Sequence, residues 1–243
     1  MRHSVQDNDA AALSRTEFQP LLKTVSRSFY LSLRFLPEGV REPLGIAYLL
    51  ARTSDTVADA SEAALAERLE ALDRLLEALE CADREAVEKS THAKRALAPS
   101  YQRLRCSKYE EAVLLKKVDA LIACFATLSG PLRAEVLSVL RTIIAGQRGD
   151  LIRFGYASAT TPQALQKVED TVAYTYAVAG CVGEFWTRVC ALQAPGFSRS
   201  QVSELVHLGR LFGQGLQLVN ILRDLPEDLK IGRCYLPLES LAA

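Results

Sequence analysis

The sequence has no net charge: its 29 basic and 29 acidic residues cancel over 243 positions. No global field therefore draws the chain to nucleic acid or an anionic membrane, no nucleic-acid partner is expected, and any charge that matters is local. Cysteine is sparse and unpatterned. Cys81, Cys106, Cys124, Cys181, Cys190 and Cys234 form neither a CxxC pair nor a dense framework. Such a set fits buried thiols in a reducing, cytoplasmic compartment better than a secreted disulfide scaffold. The opening MRHSVQDNDAAALSRTEF lacks the apolar core of a signal peptide, so residues 1–16 are expected to form a loose lead-in. Long apolar runs are missing as well. The nearest approach, Val172 to Leu192, is interrupted by Glu184 and Arg188 and predicts a buried helix, not a membrane span.

Strict alternation of apolar and polar residues is also absent. What recurs between Gln19 and Arg223 is helical spacing, as in Leu65, Leu69, Leu72, Leu76 and Leu79, and again in Val136, Leu137, Leu140, Ile143 and Ile144. The spacing predicts an all-α chain. Breakers at Pro37-Glu38-Gly39, Gly130-Pro131, Thr161-Pro162 and Pro195-Gly196 divide it into roughly eight or nine helices. No linker, charge block or low-complexity segment intervenes, so residues 17–243 are assigned to one domain.

Two acidic motifs stand out, Asp55-Thr56-Val57-Ala58-Asp59 and Asp224-Leu225-Pro226-Glu227-Asp228, each just after an arginine, Arg52 or Arg223. On a helix, residues four apart share a face with Cβ atoms about 5–6 Å apart. Like charges so placed repel, and a cation reverses the sign. Magnesium prefers oxygen ligands and commonly bridges one or two carboxylates to substrate phosphates, which is what such a pair offers. A lone DxxxD is more often ordinary solvated surface. Here the first pair ends the apolar run Ile46-Ala47-Tyr48-Leu49-Leu50, and the second extends a polar stripe of Gln217, Asn220, Asp224 and Asp228. That stripe is flanked by Leu216, Leu218, Val219, Ile221 and Leu222, which suggests a lined cavity bounded by core. Pro226 lacks the amide hydrogen a helix needs, so a kink or helix end is expected between Asp224 and Asp228.

Other motifs carry less. Glu204-Leu205-Val206-His207 has the ExxH spacing of di-iron bundles, but those need a second copy, and neither His3 nor His92 follows a glutamate by three. His207 therefore reads as a surface or core histidine. Tyr174 has the plain alternative of a packed core tyrosine, with Tyr176 as its twin. Val178-Ala179-Gly180-Cys181-Val182-Gly183 is small enough for two helices, or a helix and a ligand, to approach closely.

Taken in order, Ser26-Arg27-Ser28-Phe29-Tyr30, RTSDTVAD from Arg52, YTYAVAGCVG from Tyr174 and QLVNILRDLPEDLKIGRCYLP from Gln217 resemble the squalene and phytoene synthases over almost the whole chain. The resemblance implies an isoprenoid synthase fold with helices around a central cavity. It implies head-to-head joining of two farnesyl diphosphates through presqualene diphosphate to squalene, with phytoene, dehydrosqualene or presqualene diphosphate as alternative products. Asp55, Asp59, Asp224 and Asp228 would hold the diphosphates through Mg2+, and Arg52 would meet a phosphate directly. Ser26, Arg27 and Ser28 match a phosphate-side segment, Gln217 and Asn220 match cavity-lining residues, and Tyr174 matches a tyrosine near the reacting carbons, a candidate for helping a proton leave. NADPH is the expected hydride source for squalene. No GxGxxG turn is present, but the family binds nicotinamide without one. A single aspartate in Ser54-Asp55-Thr56, where many phytoene synthases have adjacent aspartates, leans the product toward squalene. An apolar product suggests peripheral association with the inner face of the membrane.

Two rivals share the ancestry. A non-catalytic assembly or lipid-binding relative should have lost the acidic set, and both pairs are intact. Head-to-tail or cyclising synthases usually carry DDxxD, absent here. Family members continue past Tyr235-Leu236-Pro237 into helices that close the cavity, whereas this chain stops at Ala243. The expectation is a domain lacking those helices, with diphosphate binding retained and condensation weak.

Overall fold

The structure is a computed structural model and describes residues 11–26, 29–88, 96–101, 104, 108–194, 196–197 and 201–241. Two helices, α1 (Arg15–Ser26) and α2 (Phe29–Arg34), lead into α3 (Glu38–Ala58) and α4 (Leu65–Glu88). Shorter pieces follow, α5 (Ala98–Tyr101), α6 (Tyr109–Lys116) and α7 (Val118–Thr127), and then the long α8 (Gly130–Phe154). Strand β1 (Gln163–Leu165) precedes α9 (Val168–Thr175), a π-helical turn (Tyr176–Gly180) and α10 (Cys181–Gln193). The chain closes with α11 (Val202–Lys230), β2 (Arg233–Pro237) and α12 (Leu238–Leu241). Nine of these helices have eight residues or more, as the breakers suggested. Pro37 caps α3 in an extended conformation and Pro131 sits in the first turn of α8, where a missing amide hydrogen costs nothing.

Helix α3 is central. Leu44, Ile46, Ala47, Leu49, Leu50, Thr53, Ser54 and Val57 are all buried, so no broad face is left for water. A helix covered all round must be apolar all round, and Ile46 to Leu50 are. Leu72, Leu75 and Leu79 of α4 and Val136, Leu140 and Ile144 of α8 complete the core with no exposed surface. Burial of each such side chain contributes about 1.5–3 kcal/mol. The leucine and valine periodicities therefore form the core as the sequence predicts.

The small residues after Tyr176 serve helix packing. A Cβ on Gly183 would lie 1.9 Å from the Gly209 carbonyl oxygen, and one on Gly213 would lie 2.3 Å from the Ala179 oxygen. The backbones of the π-helical turn and α10 touch α11 there, which only glycine allows.

Three features depart from expectation. Helix α11 does not end at Pro226 but continues to Lys230. The carbonyl that loses its amide partner belongs to Leu222, an exposed residue whose backbone water can reach. The flanks of the polar stripe are not core: Leu216, Leu218, Val219 and Leu222 are exposed, while Gln217, Asn220, Asp224 and Asp228 are half-buried and only Ile221 is deeply buried. The close Gly209 and Gly213 contacts fix which face of α11 turns inward, and they turn the polar one. Finally, β1 and β2 form a parallel pair, Gln163 opposite Arg233 and Ala164 opposite Cys234, which no alternation in the sequence announces.

Candidate active site

Six elements, α3, α8, α9, the π-helical turn, α10 and β2, enclose a cavity of about 360 Å³. Helix α3 supplies Leu44, Ala47, Ala51, Asp55 and Asp59, α8 supplies Val139, Ile143, Gln147 and Asp150, and the run from α9 to α10 supplies Tyr174, Val178, Val182 and Phe185. These steps of three or four keep one face of each helix inward. Strand β2 adds Arg233 and Tyr235, two apart and so on one face of the strand. Along α3 and α8 the lining changes from aliphatic to polar toward the C-terminal ends. The cavity is thus polar at one end and oily at the other.

Asp55 stands at the polar end. It accepts a hydrogen bond from Gln147 Nε2 at 2.6 Å, and an Arg52 nitrogen lies 3.8 Å from its other oxygen. Burial pushes its carboxyl up to about 6; Arg52 opposes that shift and Asp59 reinforces it. Asp59 caps α3, and burial raises it too, against the pull of Arg233 and Arg52. Arg52 donates to Glu111 on α6 at 2.8 Å, so its guanidinium is held at the mouth by carboxylates on both sides.

The second pair has a different setting. Arg223 grips both oxygens of Asp224 at 2.7 Å and holds that carboxyl below its ordinary range. Asp228, raised by partial burial and by Asp224, is drawn back by Arg233. Arg233 thus acts electrostatically on a carboxyl of each motif, although only the first motif, Asp55 and Asp59, lines the cavity.

Tyr174 and Tyr176 are not twins. Tyr174 lines the cavity with its ring stacked on Tyr235 at 4.2 Å, and burial pushes its phenol well above the usual range. Tyr176 turns away to Glu184 at 3.4 Å. The π-helical turn between Thr175 and Cys181 changes the helical phase just after Tyr174. Asn220 donates to Gln217 at 3.2 Å. Ser26 is buried, with its hydroxyl donated to the Leu22 carbonyl. Arg27 and Ser28 lie outside the described residues. His207 is exposed on α11 beside Arg210.

Four lining residues were not singled out from sequence: Gln147, Asp150, Arg233 and Tyr235. Gln147 and Asp150 carried a signal, being polar at the inward positions of the Val139, Ile143 stripe. Arg233 and Tyr235 lie in the motif that begins at Gln217, but their place in the cavity depends on β2.

Among the described residues no three His, Cys, Asp or Glu side chains form a ready-made cation site. The donor set still suits magnesium. Asp55 and Asp59 are paired against their own repulsion, and Gln147 Oε1 is buried beside them with no hydrogen-bond partner among the described residues. All three are hard oxygen donors, and diphosphate oxygens and water can complete such a shell.

The family model described as squalene/phytoene synthase matches residues 22–243. The chain belongs to the squalene/phytoene synthase family. It is 31% identical over 217 residues to a presqualene diphosphate synthase of Zymomonas mobilis, covering 89% of this chain and 58% of that protein. It is 26% identical over 224 residues to a bifunctional lycopene cyclase/phytoene synthase of Phycomyces blakesleeanus, covering 92% of this chain and 33% of that protein. With a squalene synthase of Schizosaccharomyces pombe the identity is 28% over 225 residues, 90% of this chain and 43% of the other. A solved complex of TcSQS with a ligand superposes with a TM-score of 0.63 at 20% identity, over 90% of this chain and 57% of that one, which bears on the fold alone. The chain thus spans only part of the length of these squalene/phytoene synthase relatives.

Proposed function

We propose that the chain condenses two farnesyl diphosphates head to head, through presqualene diphosphate, to squalene. The observation that carries this reading is the graded cavity: paired carboxylates and Arg233 at one end, aliphatic walls at the other. From Leu44 to Asp55 the α3 stripe rises about 16 Å at 1.5 Å per residue, a slot suited to a prenyl tail below a diphosphate. The diphosphates sit at the mouth between Asp55, Asp59, Asp224 and Asp228. Magnesium held there supplies charge neutralisation for the departing pyrophosphate. Arg52 and Arg233 add fixed positive charge; burial opposes the charge on Arg233, but Tyr235, Asp150 and Asp59 outweigh it.

The allylic cation left by ionisation is consumed by any nearby water, so the walls must be dry. Val139, Ile143, Val178, Val182 and Phe185 provide that surface. Tyr174, at the boundary between polar and apolar lining, accepts the proton lost as the three-membered ring closes. The hydride that closes the second half of the reaction to squalene would be supplied by NADPH. The 31% identity to a presqualene diphosphate synthase supports the first half of the reaction in particular. No described helix is long and apolar enough to cross a membrane, which is compatible with peripheral association.

The test is incubation with farnesyl diphosphate and magnesium, with and without NADPH, followed by mass spectrometry. Squalene formed only with NADPH supports the proposal. Presqualene diphosphate alone, or a triene formed regardless, assigns a sibling reaction, and no pyrophosphate release from farnesyl or geranylgeranyl diphosphate overturns the reading.

A further inference from the structure

Arg68, in the first turn of α4, is only 9% exposed. Among the described residues its Nε has no hydrogen-bond partner and no carboxylate is bonded to its guanidinium. A buried cation without a bonded counter-charge is costly to a fold. Its one hydrogen bond runs from Nη1 to the Ala58 carbonyl at 3.0 Å, reaching back over the loop that joins α3 to α4. That carbonyl belongs to the closing turn of α3, whose oxygens have no partner within the helix. Positive charge is favoured at such an end, so Arg68 closes α3 from outside. Closure alone needs no charge, since a neutral amide could donate to Ala58 without burying a guanidinium.

The use of the clamp lies in the next residue. Asp59 follows Ala58, and both line the central cavity. Asp55 is aimed by Gln147, but among the described residues no group is hydrogen-bonded to the Asp59 carboxyl. Its direction comes from the backbone that carries it. That backbone is held on one side by the bond from Asp59 N to the Asp55 carbonyl at 2.8 Å and on the other by Arg68 at Ala58.

We propose that Arg68 is a positioning residue for Asp59, locking the last turn of α3 so that the first acidic pair is already set to share a cation with a diphosphate. This rests on the metal-assisted reading above and names a residue that serves it from outside the cavity. Burial and Arg233 hold the guanidinium below the ordinary arginine range and Asp59 draws it back, as expected for a charge close behind that carboxyl. The same charge favours a polyanion at the mouth, which a neutral donor would not.

The test measures binding of magnesium pyrophosphate to the full chain by calorimetry, which needs no turnover, beside the thermal melt of the unliganded protein. Arg68→Met should bind about 10–100-fold more weakly, the usual loss when a group that orients a metal ligand is removed. Its melt should shift by less than about 4 °C, because the lost Ala58 bond is offset by the lost buried charge. Arg68→Lys keeps a charged donor and should recover most of the affinity. With magnesium raised until Asp59→Asn binds, adding Arg68→Met to that variant should cost less than about twofold, since Arg68 acts through Asp59. Arg68→Gln, shorter and neutral, carries the same comparisons should Arg68→Met fail to fold. Parental affinity in the Arg68 variant, or its full loss repeated on Asp59→Asn, overturns the assignment and leaves the metal-assisted reading standing. A parent chain that binds no magnesium pyrophosphate overturns that reading itself.

Discussion

Asp55→Asn should make the protein more stable and inactive at once. The Asp55 carboxyl lies at about 6 in the folded chain against 3.8 in its ordinary state, with burial the largest cause. Between those values the folded chain binds more protons than the unfolded one. Stability from this group is therefore fully present below the unfolded value and lost as pH rises through about 6. Unscreened, the gap corresponds to about 3 kcal/mol at ~1.4 kcal/mol per pH unit. Because 45% of the side chain is in reach of water, screening reduces the figure to about 1 kcal/mol. For a chain of this size that is about 2–4 °C in Tm. Asparagine keeps the shape and can still accept from Gln147, but never ionises. Scanning fluorimetry without magnesium should show the variant melting about 2–4 °C higher near neutral pH, with the difference closing as pH falls below the unfolded value. Turnover should drop by about 10²–10³-fold, the scale of losing one electrostatic stabiliser. A variant that melts lower than its parent at neutral pH, or that turns over normally, would refute the account of Asp55 as a ligand held at the expense of stability.

Activity on farnesyl diphosphate should vanish in EDTA and return with magnesium, and Asp224→Asn should lose most of it; full turnover in EDTA removes the metal from the proposal. Tyr174→Phe keeps the ring stacked on Tyr235 and loses only the hydroxyl, so KM should hold while kcat falls by about 10²-fold, and an unchanged rate returns Tyr174 to packing. Gly183→Ala forces a methyl onto the Gly209 carbonyl and should cost about 1–3 kcal/mol in a denaturant titration, a loss under about 0.5 kcal/mol showing that α10 and α11 can part freely. Ile221→Ala should cost about 2–5 kcal/mol and Val219→Gln less than about 0.5 kcal/mol, and the reverse order would mean that α11 is turned the other way.

Much of the fold was legible because it rests on local spacing. The Leu72, Leu79, Val136 and Ile144 periodicities are a property of single helices, and the structure buries those residues as the pattern requires. Asp55 and Asp59 were legible for the same reason: four residues apart on one helix is a distance fixed by backbone geometry alone. What failed was everything set by the meeting of two elements. The flanks of the Gln217 to Asp228 stripe read as core from their composition, but the facing of α11 is decided by where Gly183 meets Gly209 and Gly213 meets Ala179. The pairing of Asp150 with Tyr235 was silent because the two are 85 residues apart and meet only when β2 docks. The π-helical turn after Tyr174 was silent as well, since nothing in YAVAG distinguishes an i to i+5 turn from an ordinary one.

The cavity also explains why its polar end is built as it is. Asp55, Asp59, Asp150 and Asp228 are all raised by burial, so each opposes folding near neutral pH. Packing alone would replace them with apolar residues of similar size. Their persistence at one end of an oily slot marks a place where something other than the chain supplies the missing charge. The surrounding core offsets the cost, because α3 carries its carboxylates at the end of a helix that buries Leu44, Ile46, Leu49 and Leu50. The same helix therefore carries both a buried leucine core and carboxyls that burial raises, Leu50 and Asp55 being neighbours along it. That proximity lets a rigid element fix the positions of charges that would otherwise move apart, which is what preorganised binding of a polyanion through cations demands.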